Sequence, residues 1–591
     1  MRRNLAPIGP RPTLAAALLM VLAACSGSDP SSGDPTTSTS APATTTTVSR
    51  TVPPTTSGVE TSTPDTGQDA EPVPTTEMRL AVVGPEEMVF DWTTDRCEDE
   101  HIPDIAARAI RDSDGQVHLF VSHYVTYRMS GEHLESVVTD CSAPVMTSAF
   151  DSDPSQFDEA EWLAAPFTED GETVYAVVHN EYRGFVFSRT GLCPSGDHLS
   201  CIDVTLTMSI STDGGATFDD IAPPPDHLMA TMPYTYQADG VPSGVWQTSN
   251  LIDRGDGFYY LMANVSAYPA GPGQEPPQWA CLMRTDDLSE PTSWRYWDGD
   301  GFNGIFRDPY RSDDDTAETC APIADPQLSA SLTETIVYDE VLERYVAMGM
   351  SRHQTDPDAP WGIYYSLSED LINWTARQSL LELPMSPTVA DPDTDLRYAY
   401  PAIIDPDSPS LNFATSDGEA YVYIARLNAG GGSLDRDLVR YPIAVETFEL
   451  EPPDWTFDAD GDVEGWDPTN QVDGIKSAGG TLTMTSTGDD PYLHGPAVRF
   501  PGGAYQTMVI TMSLEAAGPT TPGQVFFITE EDQLFDEAKS VVFNITSDGE
   551  MHTYEIDMSS SSGWAGMVAL VRLDPGAVAG ATISIDSISF R

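Results

Sequence analysis

The sequence predicts an all-β protein, a five-bladed β-propeller followed by a β-sandwich, and three observations carry that reading. From Met78 onward, short apolar stretches with a period of two alternate with Gly/Asp turns, and no segment stands out with a helical period. Between Met78 and about Pro452 a weak unit recurs five times, at spacings of roughly 55–85 residues. After Pro452–Pro453 the texture changes to a run of short alternating strands ending at Ile583–Phe590, the pattern of a sandwich.

The chain begins with Arg2 and Arg3 ahead of an apolar run, Leu14–Leu22, that ends in Leu22-Ala23-Ala24-Cys25. A basic start, a short apolar middle and small residues before the cut make residues 1–25 a secretory signal, too short to span a bilayer. The Leu-Ala-Ala-Cys ending resembles a bacterial lipobox, which implies that Cys25 becomes the lipidated first residue; an ordinary signal with an incidental cysteine is the alternative. Residues 26–77 are dominated by Ser, Thr, Pro, Gly and Asp with no aromatic, a tract that cannot bury enough apolar surface to order itself, and they read as a disordered linker. No later apolar run is long enough for a membrane helix. The expected location is therefore the outer face of the cell membrane, reached only through the lipid.

Charge narrows the partners. With 28 Lys+Arg against 92 Asp+Glu the net charge is −64, and Lys476 and Lys539 are the only lysines. Such a surface repels nucleic acid and anionic lipid, so neither is expected as a partner, and a monomer is expected. Six cysteines remain after Cys25, and an even number outside the cytoplasm points to disulfides. Taken in sequence order they pair as Cys97–Cys141, Cys193–Cys201 and Cys281–Cys320; no Cys-x-x-Cys or His-x-x-x-His spacing supports zinc.

The five units each open with a hairpin. They are Ile105–Ile110 with Val117–Val121, Trp162–Phe167 with Val174–Val178, Leu251–Ile252 with Phe258–Met262, Thr335–Tyr338 with Tyr345–Met350, and Ala402–Ile404 with Tyr421–Ala425. The strand around Arg79–Val83 is placed to complete the last unit and close the ring. Within the second unit, Ser211-Thr-Asp-Gly-Gly-Ala-Thr-Phe218 resembles the Asp-box of sialidase-like repeats, a turn between the third and fourth strands of a blade. There Asp213 is expected to bond backbone amides two residues on, the glycines accept positive φ, and Phe218 packs between sheets. The resemblance implies a fold and places this turn away from the working face.

In a propeller the first strand of each blade begins, and the second ends, on one face. That rule gathers Asp104 and His123; His179, Asn180, Glu181 and Tyr182; Ser249, Asn250 and Asn264; Arg307 and Asp308; Arg352 and His353; and Tyr400 and Arg426. Such a face, rich in carboxylates, imidazoles and amides, suits a carbohydrate: two acids for catalysis, donors and rings for the sugar. Five units, Ser-x-Asp-Leu-x-x-Trp-type strand ends such as Ser368–Trp374, and Arg307-Asp308-Pro309 resemble the five-bladed propeller glycoside hydrolases of the arabinanase, xylosidase and invertase group. The resemblance implies Asp104 as base or nucleophile, Glu181 as general acid and Asp308 as stabilising partner, with no cofactor required. The sequence departs from that group in lacking Asn-Asp-Pro-Asn and in placing Arg-Asp-Pro after the Glu. A sialidase-like hydrolase is an alternative, although His101 precedes Ile102-Pro103 where such enzymes carry arginine. A lectin-like protein that binds glycan without cleaving it is the alternative from another class.

The C-terminal segment, 453–591, opens with Trp455-Thr-Phe and Gly465-Trp466 and closes with Ile585-Asp586-Ser-Ile588. These features resemble galactose-binding-like jelly rolls, among which many carbohydrate-binding modules fall. Asp458, Asp460, Asp462 and Glu464, with Asp586, form either a structural Ca²⁺ site or a solvated acidic turn.

Overall fold

A computed structural model describes residues 74–196, 201–238, 240–267, 277–312, 319–323, 331–352, 361–385, 396–428, 432 and 434–591. The signal, Cys25, the linker as far as residue 73, and His353 lie outside the described residues. The chain divides into two compact units, one over Leu80–Glu446 and one containing Thr447–Arg591.

The first unit is a series of antiparallel meanders. Arg108–Arg111, Val117–Val121, Val125–Gly131 and Val138–Thr139 make the first. Ala160–Thr168, Val174–Arg183, Ile202–Ser211 and Asp219–Asp220 make the second. The third runs Ser243–Thr248, Tyr259–Ser266, Gln278–Thr285, Arg295–Tyr296, and the fourth Thr335–Asp339, Arg344–Ser351, Gly362–Ser368, Gln378–Glu382. The last takes Arg397–Ile404, Glu419–Leu427 and Arg436–Glu449 and finishes with Thr76–Val82, so the first strand of the described chain pairs beside the last of the unit.

The second and third meanders share one sheet through the parallel pairs Asp203–Ser243 and Val204–Gly244. Gly244 has φ +131°, and any side chain there would collide with the Val204 backbone. The third unit differs from the sequence reading. Its first strand is chiefly Ser243–Thr248, with Ile252–Asp253 a short continuation, because Asn250 leaves the ladder to bond Ile336.

Tight Asp turns connect the strands. Asp112 Oδ1 accepts the amides of Asp114 and Gln116, Asp170 Oδ1 those of Glu172 and Thr173, and Asp339 Oδ1 those of Val341 and Leu342. Much of the acidic composition is thereby structural. At Asp213 the bonds reach further than expected, to the amides of Ala216 and Thr217, since Ser211 Oγ takes the nearer Gly215 amide. Phe218 still packs edge-on against Phe120 of the first meander. The disulfides join Cys97–Cys141, Cys193–Cys201 and Cys281–Cys320.

Apolar layers fill the spaces between successive meanders. Ile110, Phe120, Leu163 and Val178 pack the first against the second; Val177, Leu206, Val245 and Leu261 pack the second against the third. Tyr260, Leu282, Ile336 and Tyr364 continue to the fourth, and a larger cluster holding Met348, Tyr365, Tyr423, Ile424, Leu119 and Val121 joins the fourth, fifth and first. The ring of contacts is thus complete within the unit.

One guanidinium ties the inner strands together. Arg108 is buried and donates to the carbonyls of Ala164, Thr248 and Glu334, in the second, third and fourth meanders, as well as to its neighbour Ala107. Burial pulls its pKa down to about 10, so it remains charged at neutral pH.

The second unit is a jelly-roll sandwich built on a 23-residue strand, Thr507–Thr529. Its first half pairs with Thr582–Phe590 and His552–Asp557; its second half pairs with Met567–Asp574 and Ser540–Asp548. Trp455, Phe457, Trp466, Phe500, Phe527 and Trp564 fill its core.

Arg108→Met would leave three buried carbonyls of other meanders without a donor. We expect chemical denaturation to show a loss of about 3–5 kcal/mol; a loss below about 1 kcal/mol would show that the inner strands hold together without it.

Candidate functional site

Asp104 enters the core immediately before the first strand, its backbone amide bonded to the Ser122 carbonyl at 3.0 Å. Its carboxylate is fully buried and collects donors from the second and fifth meanders. Oδ1 accepts the Tyr400 hydroxyl at 3.2 Å and pairs with the Arg436 guanidinium; Oδ2 accepts the Trp162 indole N–H at 3.3 Å and lies 3.6 Å from His123 Nε2. Tyr400 reaches this point because it sits at a break in the Arg397–Ile404 ladder with φ +62°, a left-handed conformation uncommon for a bulky residue. Burial, and then Asp104, push its hydroxyl pKa well above the ordinary value. Burial also lowers His123 to about 4 in spite of Asp104, so the ring is neutral at pH 7.

Glu181 lies near the end of the Val174–Arg183 strand, two residues from His179. Their side chains meet at 3.2 Å, Nε2 to Oε1. Glu181 Oε2 and His179 Nδ1 are buried and make no hydrogen bond. Arg183, two residues on, gives its hydrogen bonds to Glu159 at 2.8 and 2.9 Å and stacks over Tyr124. Trp162 is the common neighbour: its ring stands edge-on to His179 at 5.3 Å, to Tyr124 at 5.3 Å and to His123 at 5.7 Å, while its N–H serves Asp104. After burial, Asp104, Glu334 and Glu181 each oppose ionisation of Tyr400.

The remaining expected residues are placed as follows. Asn180 is on the opposite sheet face from Glu181, its Nδ2 buried without a hydrogen bond. Tyr182 donates to the Ser152 carbonyl at 2.8 Å. The Asn250 amide is used by the Ile336 backbone, accepting its N–H at 2.9 Å and donating to its carbonyl at 2.8 Å. Asn264 is buried with Oδ1 unbonded. Arg352 stacks over Trp361, and Arg426 is held by Glu86 and Asp437. Arg307 lines a small recess with Met232, Val245 and Cys320. Asp308 is not gathered with Asp104 and Glu181: it accepts the Tyr310 amide at 2.8 Å, faces Arg311 at 3.4 Å, and lines a separate cavity of about 510 Å³ with Asp226, Glu290 and Trp294.

In the sandwich, Asp460 accepts the Gly479 amide, Asp462 the Glu464 amide, and Glu464 the amides of Thr456 and Phe457. Asp586 accepts the Ser587 hydroxyl at 3.3 Å. Among the described residues, Asp458, Asp460, Asp462 and Asp586 do not bring three ligand atoms together.

No protein-family model matches this chain, and no curated protein is similar to it in sequence. Solved structures with a similar chain trace include a glycoside hydrolase family 43 arabinoxylan arabinofuranohydrolase from Bacillus subtilis, at 12% identity over 83% of this chain and 96% of that one, TM-score 0.32. A GH32 β-fructofuranosidase of Bombyx mori follows at 10% identity, 82% and 91% coverage, TM-score 0.33. The catalytic domain of a Coprinopsis cinerea GH62 α-L-arabinofuranosidase shares 12% identity over 62% of this chain and 97% of that one, TM-score 0.32. At these values no residue here is matched to a catalytic residue there.

Sequence reasoning missed Trp162, Arg436 and Glu334. Arg436 starts the third strand of its meander, and a third strand begins on the face where the second ends, so extending the strand-end rule by one strand finds it. Trp162 read as an ordinary apolar strand residue. Glu334 stands just before Thr335, at the start of a first strand, where the rule already applied.

Burial raises Glu334 to about 8, opposed by Arg108. A carboxyl raised in the fold contributes stability in full below its ordinary value near 4.5 and loses it as pH climbs toward 8. Thermal unfolding across that window should show a falling Tm whose slope is shallower in Glu334→Gln; identical slopes would remove Glu334 from the account.

Proposed function

We propose that this protein is a glycoside hydrolase in which Asp104 and Glu181 are the reacting pair. The observation that supports this most is the contrast between the two carboxyls linked through Trp162, Asp104 directly and Glu181 by way of His179. Asp104 receives three donors, which suits an acceptor-only carboxylate acting as base or nucleophile. Glu181 keeps one oxygen buried and unbonded, as a group that hands a proton to a leaving oxygen requires. A separation of about 5–5.5 Å would give retention, and about 6.5–9.5 Å inversion.

The meanders are read as the five blades of one propeller, with Arg108 on its axis. The signal and lipobox reading puts the enzyme on the outer face of the membrane, lifted off it by the linker. The jelly roll is proposed to bind carbohydrate.

One observation favours the second reading, a glycan-binding protein without turnover: Asp104 is enclosed and already paired with Arg436. The two separate in one assay. The mature chain carrying Cys25→Ser is offered a panel of polysaccharides and sialylated glycans, beside Asp104→Asn and Glu181→Gln. We expect sugar release that drops about 10²–10⁴-fold in Glu181→Gln, with partial recovery on substrates whose leaving group needs no proton. Binding without turnover in all three proteins would leave the lectin reading; release confined to sialylated glycans would favour the sialidase-like one.

A further inference from the structure

The second meander carries a polar cluster that the proposed reaction does not use. Glu161 lies opposite Asn180, Asn180 opposite Thr205, and Ser209 opposite Asp220. Opposed residues share a sheet face, so these side chains and Thr207 lie on one face of the blade. His227 precedes Leu228, the register partner of Thr207. Ligand atoms of Glu161, Asp220 and His227 lie within 4.8 Å of one another.

The second observation is independent of the carboxylates. His227 is fully buried; the Phe157 carbonyl can take one ring nitrogen, which leaves the other without a partner. The hydroxyls of Thr205 and Thr207 and the Asn180 amide nitrogen, on the same face, are likewise buried and unbonded. So many unsatisfied polar atoms at one place are costly unless something occupies the space between them.

We propose that Glu161, Asp220 and His227 bind one divalent first-row cation, with zinc the best fit. An imidazole and two carboxylates are a donor set for such an ion, whereas Ca²⁺ takes oxygen alone. Bonds of about 2 Å to a common ion need only a modest inward adjustment of the three side chains. The ion would link the first strand of the blade, through Glu161, to its outermost strand at Asp220. That makes it a structural clamp beside the strand bearing Glu181.

The test strips the mature chain with a chelator, restores it with zinc alone, and measures bound zinc and Tm. One zinc per chain with a higher Tm is expected, both effects being lost in His227→Ala and in Asp220→Asn. Asp220 stands on a two-residue edge strand, so its variant should fold even if the buried histidine cannot be replaced. Asp460→Asn, in the other unit, should behave as the wild type. No stoichiometric uptake, or uptake unchanged by Asp220→Asn, would overturn the proposal.

Discussion

The first unit depends on one buried cation. A guanidinium can be enclosed only where acceptors surround it, and Arg108 meets this condition with carbonyls from four meanders at once. Their backbones are fixed at the distances its fork allows. The inner strands therefore cannot shift singly, and the residues at their ends inherit that rigidity.

A second buried charge sits close by and is solved differently. Asp104 is neutralised by Arg436 and bonded by Tyr400 and Trp162, so a fully enclosed carboxylate is tolerated. Glu181 has only a histidine and an unbonded oxygen. The two acids are joined through Trp162, Asp104 directly and Glu181 by way of His179, and they differ widely in their donors, the condition under which two carboxyls take different roles. The strained backbone of Tyr400 is part of the same arrangement, since the left-handed bulge is what turns its phenol toward Asp104.

How far this was legible follows from what each residue's position depends on. Asp104, His123, His179, Glu181 and Tyr400 fall at strand ends fixed by period-two patterning and Asp-Gly turns, so counting along strands leads to them. Asp308 depends on how a long connection folds, and its pairing with Arg311 and the Tyr310 amide is a local turn that no strand pattern announces. Arg426 and Arg436 both sit at strand ends; register and the irregularity near Ala399 decide that Arg436 reaches Asp104 while Arg426 goes to Glu86 and Asp437. The first strand of the third meander was hidden because Ser243–Thr248 shows no apolar alternation. The cation cluster was hidden because Glu161, Asp220 and His227 are joined only by cross-strand register.

The most direct measurement is a crystal structure of Glu181→Gln with a bound oligosaccharide that the wild type turns over or retains. The expected result places a glycosidic oxygen against the substituted amide side chain, with the adjoining anomeric carbon facing Asp104 and the sugar near Trp162. Sugar held only by the sandwich, or only in the cavity beside Asp308, with Asp104 still closed onto Arg436, would contradict the assignment of Asp104 and Glu181 as the reacting pair.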